Sequence, residues 1–149
     1  MYRIVVAVIC AIGLVLVPEA KPAMALSNAS FDAQLRTLTN TERTKKSLKK
    51  LKFGTCLDRY AQQQANRMAS EKRMFHQDLR IVLRKCKAKT VGENVAYGFD
   101  SPKANVRAWM NSPGHRKNIL NRKYTRLGIG VAKDGDGRSY TVQVFGRPR

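Results

Sequence analysis

The sequence predicts an α+β domain in which an antiparallel sheet is covered by helices. Between Ser30 and Asn121 most apolar residues recur at helical spacings of three and four, and after Asn121 they alternate as in strands. Helices that precede the strands, instead of alternating with them, favour the α+β class. The length of 149 residues suits one domain and excludes two independent enzymatic domains.

The first 25 residues have the pattern of a secretory signal peptide. Arg3 precedes an apolar run over residues 4–17, and the small-residue site Ala23-Met24-Ala25 follows it. The run is shorter than the roughly 20 apolar residues that span a bilayer. We therefore predict cleavage after Ala25, a single domain over 26–149, and a secreted protein without a transmembrane segment in its mature chain.

Cleavage removes Cys10 and leaves Cys56 and Cys86. In a chain bound for an oxidising compartment, such an even pair is expected to form a disulfide, and two free thiols are the alternative.

Two helices are predicted in the first half of the mature chain. Ser30 is the expected N-cap of the first helix, whose apolar residues are Phe31, Leu35 and Leu38. Thr55 is expected to cap the second helix with Asp58 as its capping partner. The buried stripe of that helix is expected to contain Leu57, Tyr60, Ala61, Gln64, Ala65 and Met68.

Two further helices and a hairpin follow. Ser101-Pro102 and Ser112-Pro113 each pair an N-cap residue with proline at the first helical position. Alternating apolar residues over 127–131 and 140–144 predict two strands, and Asp-Gly-Asp-Gly at 134–137 predicts the turn between them. A further strand is predicted over 95–99.

The chain is strongly basic, with 29 Lys and Arg against 10 Asp and Glu and a net charge of +19. The basic residues concentrate in three clusters, at 43–52, 80–89 and 116–126. Such a surface attracts anionic lipid headgroups, acidic wall polymers or nucleic acid, and a solvated face that keeps the protein soluble is the alternative. Nucleic acid is disfavoured because the clusters contain few aromatic residues for base stacking.

Three polar residues are candidates for chemistry. His76 and His115 are the only histidines, and two imidazoles brought together with a carboxylate can bind zinc or move a proton. Glu93 lies between Gly92 and a predicted strand in a chain with few carboxylates. A nucleophilic triad with Ser112 is disfavoured because this serine is better explained as an N-cap and lacks a Gly-x-Ser-x-Gly elbow.

Four motifs, taken in order, resemble the CAP superfamily of cysteine-rich secretory, antigen five and pathogenesis-related class 1 proteins. They are MFHQDLR (74–80), GENVA (92–96), WMNSPGHRKNIL (109–120), and LGIGV (127–131) with YTVQVFG (140–146). The third motif resembles the short, single-domain bacterial branch. The resemblance covers residues 31–146, nearly all of the predicted mature chain.

The resemblance implies an α–β–α sandwich in which His76, Glu93 and His115 converge in a central cleft. In many relatives this cleft has two histidines and two acidic residues, and the histidines can hold a divalent metal, often zinc. Ser112 stands where the second acidic residue would fall, so the implied binding site consists of His76, Glu93, Ser112 and His115. His76 and His115 are its candidate metal ligands, with zinc not required for function.

We expect a secreted, monomeric and non-enzymatic binding module that docks on anionic lipid or cell-wall polymers. The family resemblance adds a small apolar ligand as a further candidate. One alternative is a zinc-dependent hydrolase in which Glu93 and His115 are the candidate catalytic residues and Glu93 acts as general base. The other alternative is a basic antimicrobial protein.

Overall fold

The computed structural model describes residues 26–149, and the predicted signal peptide lies outside the described residues. The helices of this region are α1 (Asn28–Thr44), α2 (Thr55–Ser70), α3 (Leu79–Lys85), α4 (Pro102–Asn111) and α5 (Pro113–Ile119). Its strands are β1 (Lys52–Phe53), β2 (Ala88–Tyr97), β3 (Arg126–Lys133) and β4 (Ser139–Pro148). Within 26–149, no helix has the length and apolar character needed to cross a bilayer.

The four strands form one sheet in the order β1-β3-β4-β2. The β3–β4 and β4–β2 pairs are antiparallel, and the short β1 pairs with β3 in parallel. The predicted α+β class with a mainly antiparallel sheet is therefore confirmed. The strand predicted over 95–99 is wrong in its bounds, since β2 begins at Ala88 and ends at Tyr97.

Helices cover both faces of the sheet, as in an α–β–α sandwich. One core lies between the sheet and α1, α4 and α5, and includes Leu35, Trp109 and Ile129. The other core lies between the sheet and α2 and α3, and includes Met68 and Val142. Successive side chains along each strand point to opposite faces of the sheet, so they enter the two cores in turn.

The two glycines of β3 let the backbone of α2 lie directly against the sheet. A Cβ atom on Gly128 would lie 2.1 Å from the backbone nitrogen of Asp58, and one on Gly130 would lie 2.2 Å from the carbonyl oxygen of Ala61. The Gly-x-Gly alternation of this strand is therefore a packing requirement of the sandwich.

Two predicted helix starts are wrong in detail. Ser27, not Ser30, is the N-cap of α1, and its side chain accepts a hydrogen bond from the Ser30 N–H. Gly54 is the N-cap of α2, and Thr55 is its first helical residue. Asp58 makes no capping box because its carboxylate accepts from the Ile129 N–H and pairs with Arg36.

The predicted buried stripe of α2 is confirmed except at Tyr60, which is only partly buried. The other helix starts, the turn and the disulfide are confirmed. The Ser101 side chain caps α4 through the Ala104 N–H, and Ser112 occupies the N-cap position of α5. The turn at 134–137 joins β3 to β4. Cys56 and Cys86 form a disulfide that ties the first turn of α2 to the end of α3.

Candidate functional site

The candidate site is built around Glu93, on the edge strand β2. Glu93 shares a strand face with Val95, whose side chain is in the core under α2 and α3. Only 1% of the Glu93 side chain is exposed. A carboxylate this deeply buried needs hydrogen-bond partners to offset its lost hydration.

The loop between α2 and α3 supplies those partners. His76 Nδ1 lies 2.7 Å from Glu93 Oε1, and in the tautomer with a proton on Nδ1 it donates to this oxygen. The backbone N–H of Gln77 donates to the same oxygen at 3.2 Å, and the Gln77 side-chain amide donates to Oε2. Three donors thus hold the carboxylate, while the His76 ring stays 61% exposed and keeps Nε2 free of this contact.

His115 approaches from the other side of β2, on the first turns of α5. It is half-buried, and its backbone carbonyl accepts from the Asn94 side chain at 3.1 Å. Burial lowers the pKa of His115 below its ordinary value, and the charge of the nearby His76 lowers that pKa further. The neutral imidazole is therefore favoured near physiological pH.

An amide network that the sequence reasoning missed fixes α5 to β2. Asn118 donates to the Glu93 carbonyl at 3.0 Å and to the Asn94 side chain at 2.9 Å. Asn94 in turn donates to the Gln143 side chain on β4. The spacing of Asn118 and His115, three residues apart on one helix, was a sequence signal that these residues share a face.

Ser112 lies at the start of α5 and is half-buried. Within the part of the chain that the structure describes, no side-chain hydrogen bond joins it to His76, Glu93 or His115, and its hydroxyl makes no cap bond. The folded chain thus brings His76, Glu93 and His115 to one strand edge, with Ser112 at the adjoining helix terminus.

These residues do not fit a zinc site with three protein ligands. Both carboxylate oxygens of Glu93 already accept from His76 and Gln77. Among residues 26–149, no three His, Cys, Asp or Glu side chains are placed to hold one ion. The remaining metal-ligand donors are two imidazoles, of which His76 has its Nδ1 oriented by Glu93, as metal-binding histidines often do.

Arg43 corrects the prediction that the first basic cluster lies wholly on the surface. This residue is only 2% exposed. Its Nε donates to the Lys49 carbonyl, and one terminal nitrogen donates to the carbonyls of Ile119 and Asn121. Arg43 therefore ties the end of α1 to the end of α5, near the C-terminal dipole of that helix.

The chain is similar in sequence and in fold to several known bacterial proteins. The uncharacterized protein YkwD of Bacillus subtilis (strain 168) is 34% identical over 128 residues, covering 81% of this chain and 49% of YkwD. A cysteine-rich secretory protein from Staphylococcus aureus (subsp. aureus Mu50) superposes with a TM-score of 0.71 and 32% identity, covering 81% of this chain and 39% of that protein.

An extracellular SCP-domain protein from Bacillus anthracis (str. Ames) superposes with a TM-score of 0.72 and 28% identity, covering 80% of this chain and 41% of that protein. This chain therefore spans about half the length of YkwD and about two fifths of each of these two solved proteins. The sequence profile of the cysteine-rich secretory protein family, CAP, matches residues 36–145. Because that match spans most of the chain and the fold agrees with it, the chain belongs to the CAP family.

Proposed function

We propose that this CAP-domain protein acts outside the cell as a non-catalytic binding module that docks on an anionic lipid or cell-wall polymer through its basic surface. The observation that carries the proposal is the charge excess of +19. Such an excess accelerates and strengthens association with polyanions, which a neutral binding face would not do.

Few of the Lys and Arg side chains take part in the described ion pairs. Over residues 26–149 they involve Arg36, Lys45, Lys72, Arg73 and Arg80, besides His76. Most remaining Lys and Arg side chains are exposed and face solvent without a carboxylate partner in this region. Solvent-facing, unpaired cations are available to an external anion.

Action outside the cell is supported by the N-terminal leader pattern, the disulfide and the relatives. Disulfides persist in oxidising compartments, and the Cys56–Cys86 pair forms one. The similar proteins from S. aureus and B. anthracis are described as secretory and extracellular.

We assign a ligand-contacting role to the cleft of His76, Glu93, Ser112 and His115. The exposed His76 ring and the half-buried His115 present imidazole nitrogens at the strand edge, while Glu93 lies behind them with its oxygens engaged. The hydrolase alternative needs Glu93 as a general base, which would have to break these bonds first. We therefore do not propose it.

The docking proposal is tested by co-sedimentation of residues 26–149 with purified cell walls and with vesicles containing phosphatidylglycerol. We expect binding at 20 mM salt that weakens steadily up to 500 mM, because salt screens exposed charges. Neutral phosphatidylcholine vesicles are the control. No binding to walls or anionic vesicles at 20 mM salt would overturn the proposal.

The cleft is tested by titration of Zn²⁺ into the same protein by calorimetry, beside the double variant His76→Ala/His115→Ala. Two imidazoles are fewer protein ligands than structural or catalytic zinc sites use, so we expect weak binding at most, which the double variant abolishes. Binding that the variant retains would place the metal elsewhere and show that the two histidines are not its donors.

A further inference from the structure

The first and third basic clusters of the sequence meet at one end of the sheet, and Lys87 and Lys89 of the second cluster flank the start of β2 at that same end. Strand register aligns Lys52 with Arg126, Arg126 with Gly146, and Ala88 with Pro148. The beginnings of β1, β2 and β3 therefore lie beside the end of β4. This arrangement brings residues 49–52, 87–89, 122–126 and 147–149 to the same end of the sheet, although they are far apart in the chain.

A groove of about 550 Å³ opens at this end, between the segment after α1 and the segment before β3. Its cations, apart from the buried Arg43, are Lys49, Lys50, Lys52, Arg122 and Arg126. No Asp or Glu from the described range lines the groove, and none of these five cations takes part in an ion pair there. The groove is thus a concave site with one sign of charge.

The floor of the groove is rigidly built. The three hydrogen bonds of Arg43 to backbone carbonyls hold the two groove walls together. Tyr124 is 6% exposed, stacks on Phe145 with ring centroids 5.5 Å apart, and donates its hydroxyl to the Val91 carbonyl. A preorganised wall loses little conformational entropy on binding.

The shape and composition favour a chain-like anion over a bilayer. The exposed large apolar side chains of the described residues are Leu26, Phe53, Met74, Ile81 and Tyr97, and none of them lines this groove. A concave site without an apolar anchor suits a strand of anions better than a flat membrane, which is usually bound through inserted apolar groups.

Nucleic acid fits less well because the groove offers no free aromatic ring. Tyr124 is buried against Phe145, and the neighbouring Phe53 has the Arg36 guanidinium 4.6 Å from its ring centroid. Single-strand binding without sequence preference usually needs such rings for base stacking. Arg122 and Arg126 instead offer planar forks that match phosphate oxygens.

We propose that this groove binds a linear phosphodiester polymer of polyols or sugars, such as one exposed in a cell wall, with successive phosphates along Lys49, Lys50, Arg122 and Arg126. The adjoining depression of about 270 Å³ shares Arg126 and adds Arg147, but it is also lined by the exposed Phe53, so the polymer site is confined to the groove itself. The inference rests on the proposed function and names the partner and the surface.

The test measures binding of poly(glycerol phosphate), free of lipid, to residues 26–149 at several salt concentrations. The groove variant is Lys49→Gln/Lys50→Gln/Arg122→Gln, whose side chains make no described hydrogen bonds. The matched control is Lys103→Gln/Lys133→Gln/Arg107→Gln, which removes the same number and kinds of exposed charges from α4 and the opposite end of the sheet. Circular dichroism and melting temperature verify that both variants fold.

We expect the groove variant to bind about 30-fold more weakly at 50 mM salt and the control to change less than about 3-fold. The slope of log K against log salt should fall in magnitude by about 2 to 3 for the groove variant, since each neutralised phosphate contributes a little under one. Equal weakening in both variants would overturn the groove assignment and leave the general docking proposal standing.

Two further binding measurements distinguish the polymer from nucleic acid and from a membrane. Single-stranded DNA with the same number of phosphates should bind at least 10-fold more weakly than the polymer, and equal or tighter DNA binding refutes the polymer. Binding to phosphatidylglycerol vesicles but not to the polymer also refutes it, while retaining docking on an anionic surface. No binding to polymer, vesicles or cell walls at low salt refutes both proposals.

Discussion

Replacement of Gly130 by alanine sets two opposing effects against each other. Alanine reduces the conformational freedom of the unfolded chain, which by itself stabilises a protein by about 0.4–1 kcal/mol. In this fold, however, the added Cβ would lie 2.2 Å from the Ala61 carbonyl oxygen and 2.3 Å from its carbon. Ordinary contact begins at 3.4 Å, so α2 would have to move away by at least 1.2 Å.

That displacement affects the core beneath α2. Leu57, Ala61, Ala65 and Met68 are all buried on the helix face that meets the sheet. Overpacking a well-packed core typically costs about 1–3 kcal/mol, and a clash with backbone lies at the upper end because no side chain can rotate away. After subtraction of the unfolded-state gain, we expect a net loss of about 2 kcal/mol.

Urea unfolding followed by circular dichroism measures this loss. With a slope near 2 kcal/mol per molar, the midpoint should fall by about 1 M. Gly135→Ala is the matched control, because a Cβ at this turn position has no heavy atom within 4 Å and its φ is not in the left-handed region. A Gly130→Ala midpoint at or above that of the unmodified protein would refute the packing argument.

Three further predictions concern stability. The half-buried His115 has a lowered pKa, so it binds a proton more readily in the unfolded chain, and the fold loses stability as pH falls through about 6.5. His115→Asn should therefore reduce the loss of stability between pH 7.5 and 5, measured in EDTA. Cys56→Ser/Cys86→Ser should cost about 3–4 kcal/mol, because the disulfide closes a loop with a sequence separation of 30. Arg43→Met should cost about 3 kcal/mol, because three backbone carbonyls lose their donor.

Each of these has a result that contradicts it. Parallel pH profiles for the unmodified protein and His115→Asn would mean that His115 does not contribute to the acid loss. A serine double variant within 1 kcal/mol of the oxidised protein would show that the cross-link is energetically minor. Lys46→Met, at an exposed position three residues after Arg43, is the control for the arginine, and equal effects at the two positions would remove the buried-clamp interpretation.

The candidate site was only partly predictable. His76, Glu93 and His115 were identified from their motifs, but the donors that Gln77 supplies to Glu93 were not. Motif spacing indicates which residue types approach one another, whereas the partners of a buried carboxylate depend on how a loop lies over a strand. The same limit explains why Asp58 was interpreted as a cap although it binds Arg36 and the β3 backbone.

The sequence by itself determined the class of fold, the paired cysteines and the net charge. These follow from the spacing of apolar residues, the even number of cysteines after cleavage and the amino-acid composition, none of which depends on tertiary contacts. Only the tertiary structure decided that Arg43 is buried and that the first and third basic clusters line one groove. The reason is the strand order β1-β3-β4-β2, which places the starts of three strands beside the end of the fourth. Pairing between distant strands brings together charges that lie some seventy residues apart, such as Lys52 and Arg126. Local sequence patterns do not predict such pairing.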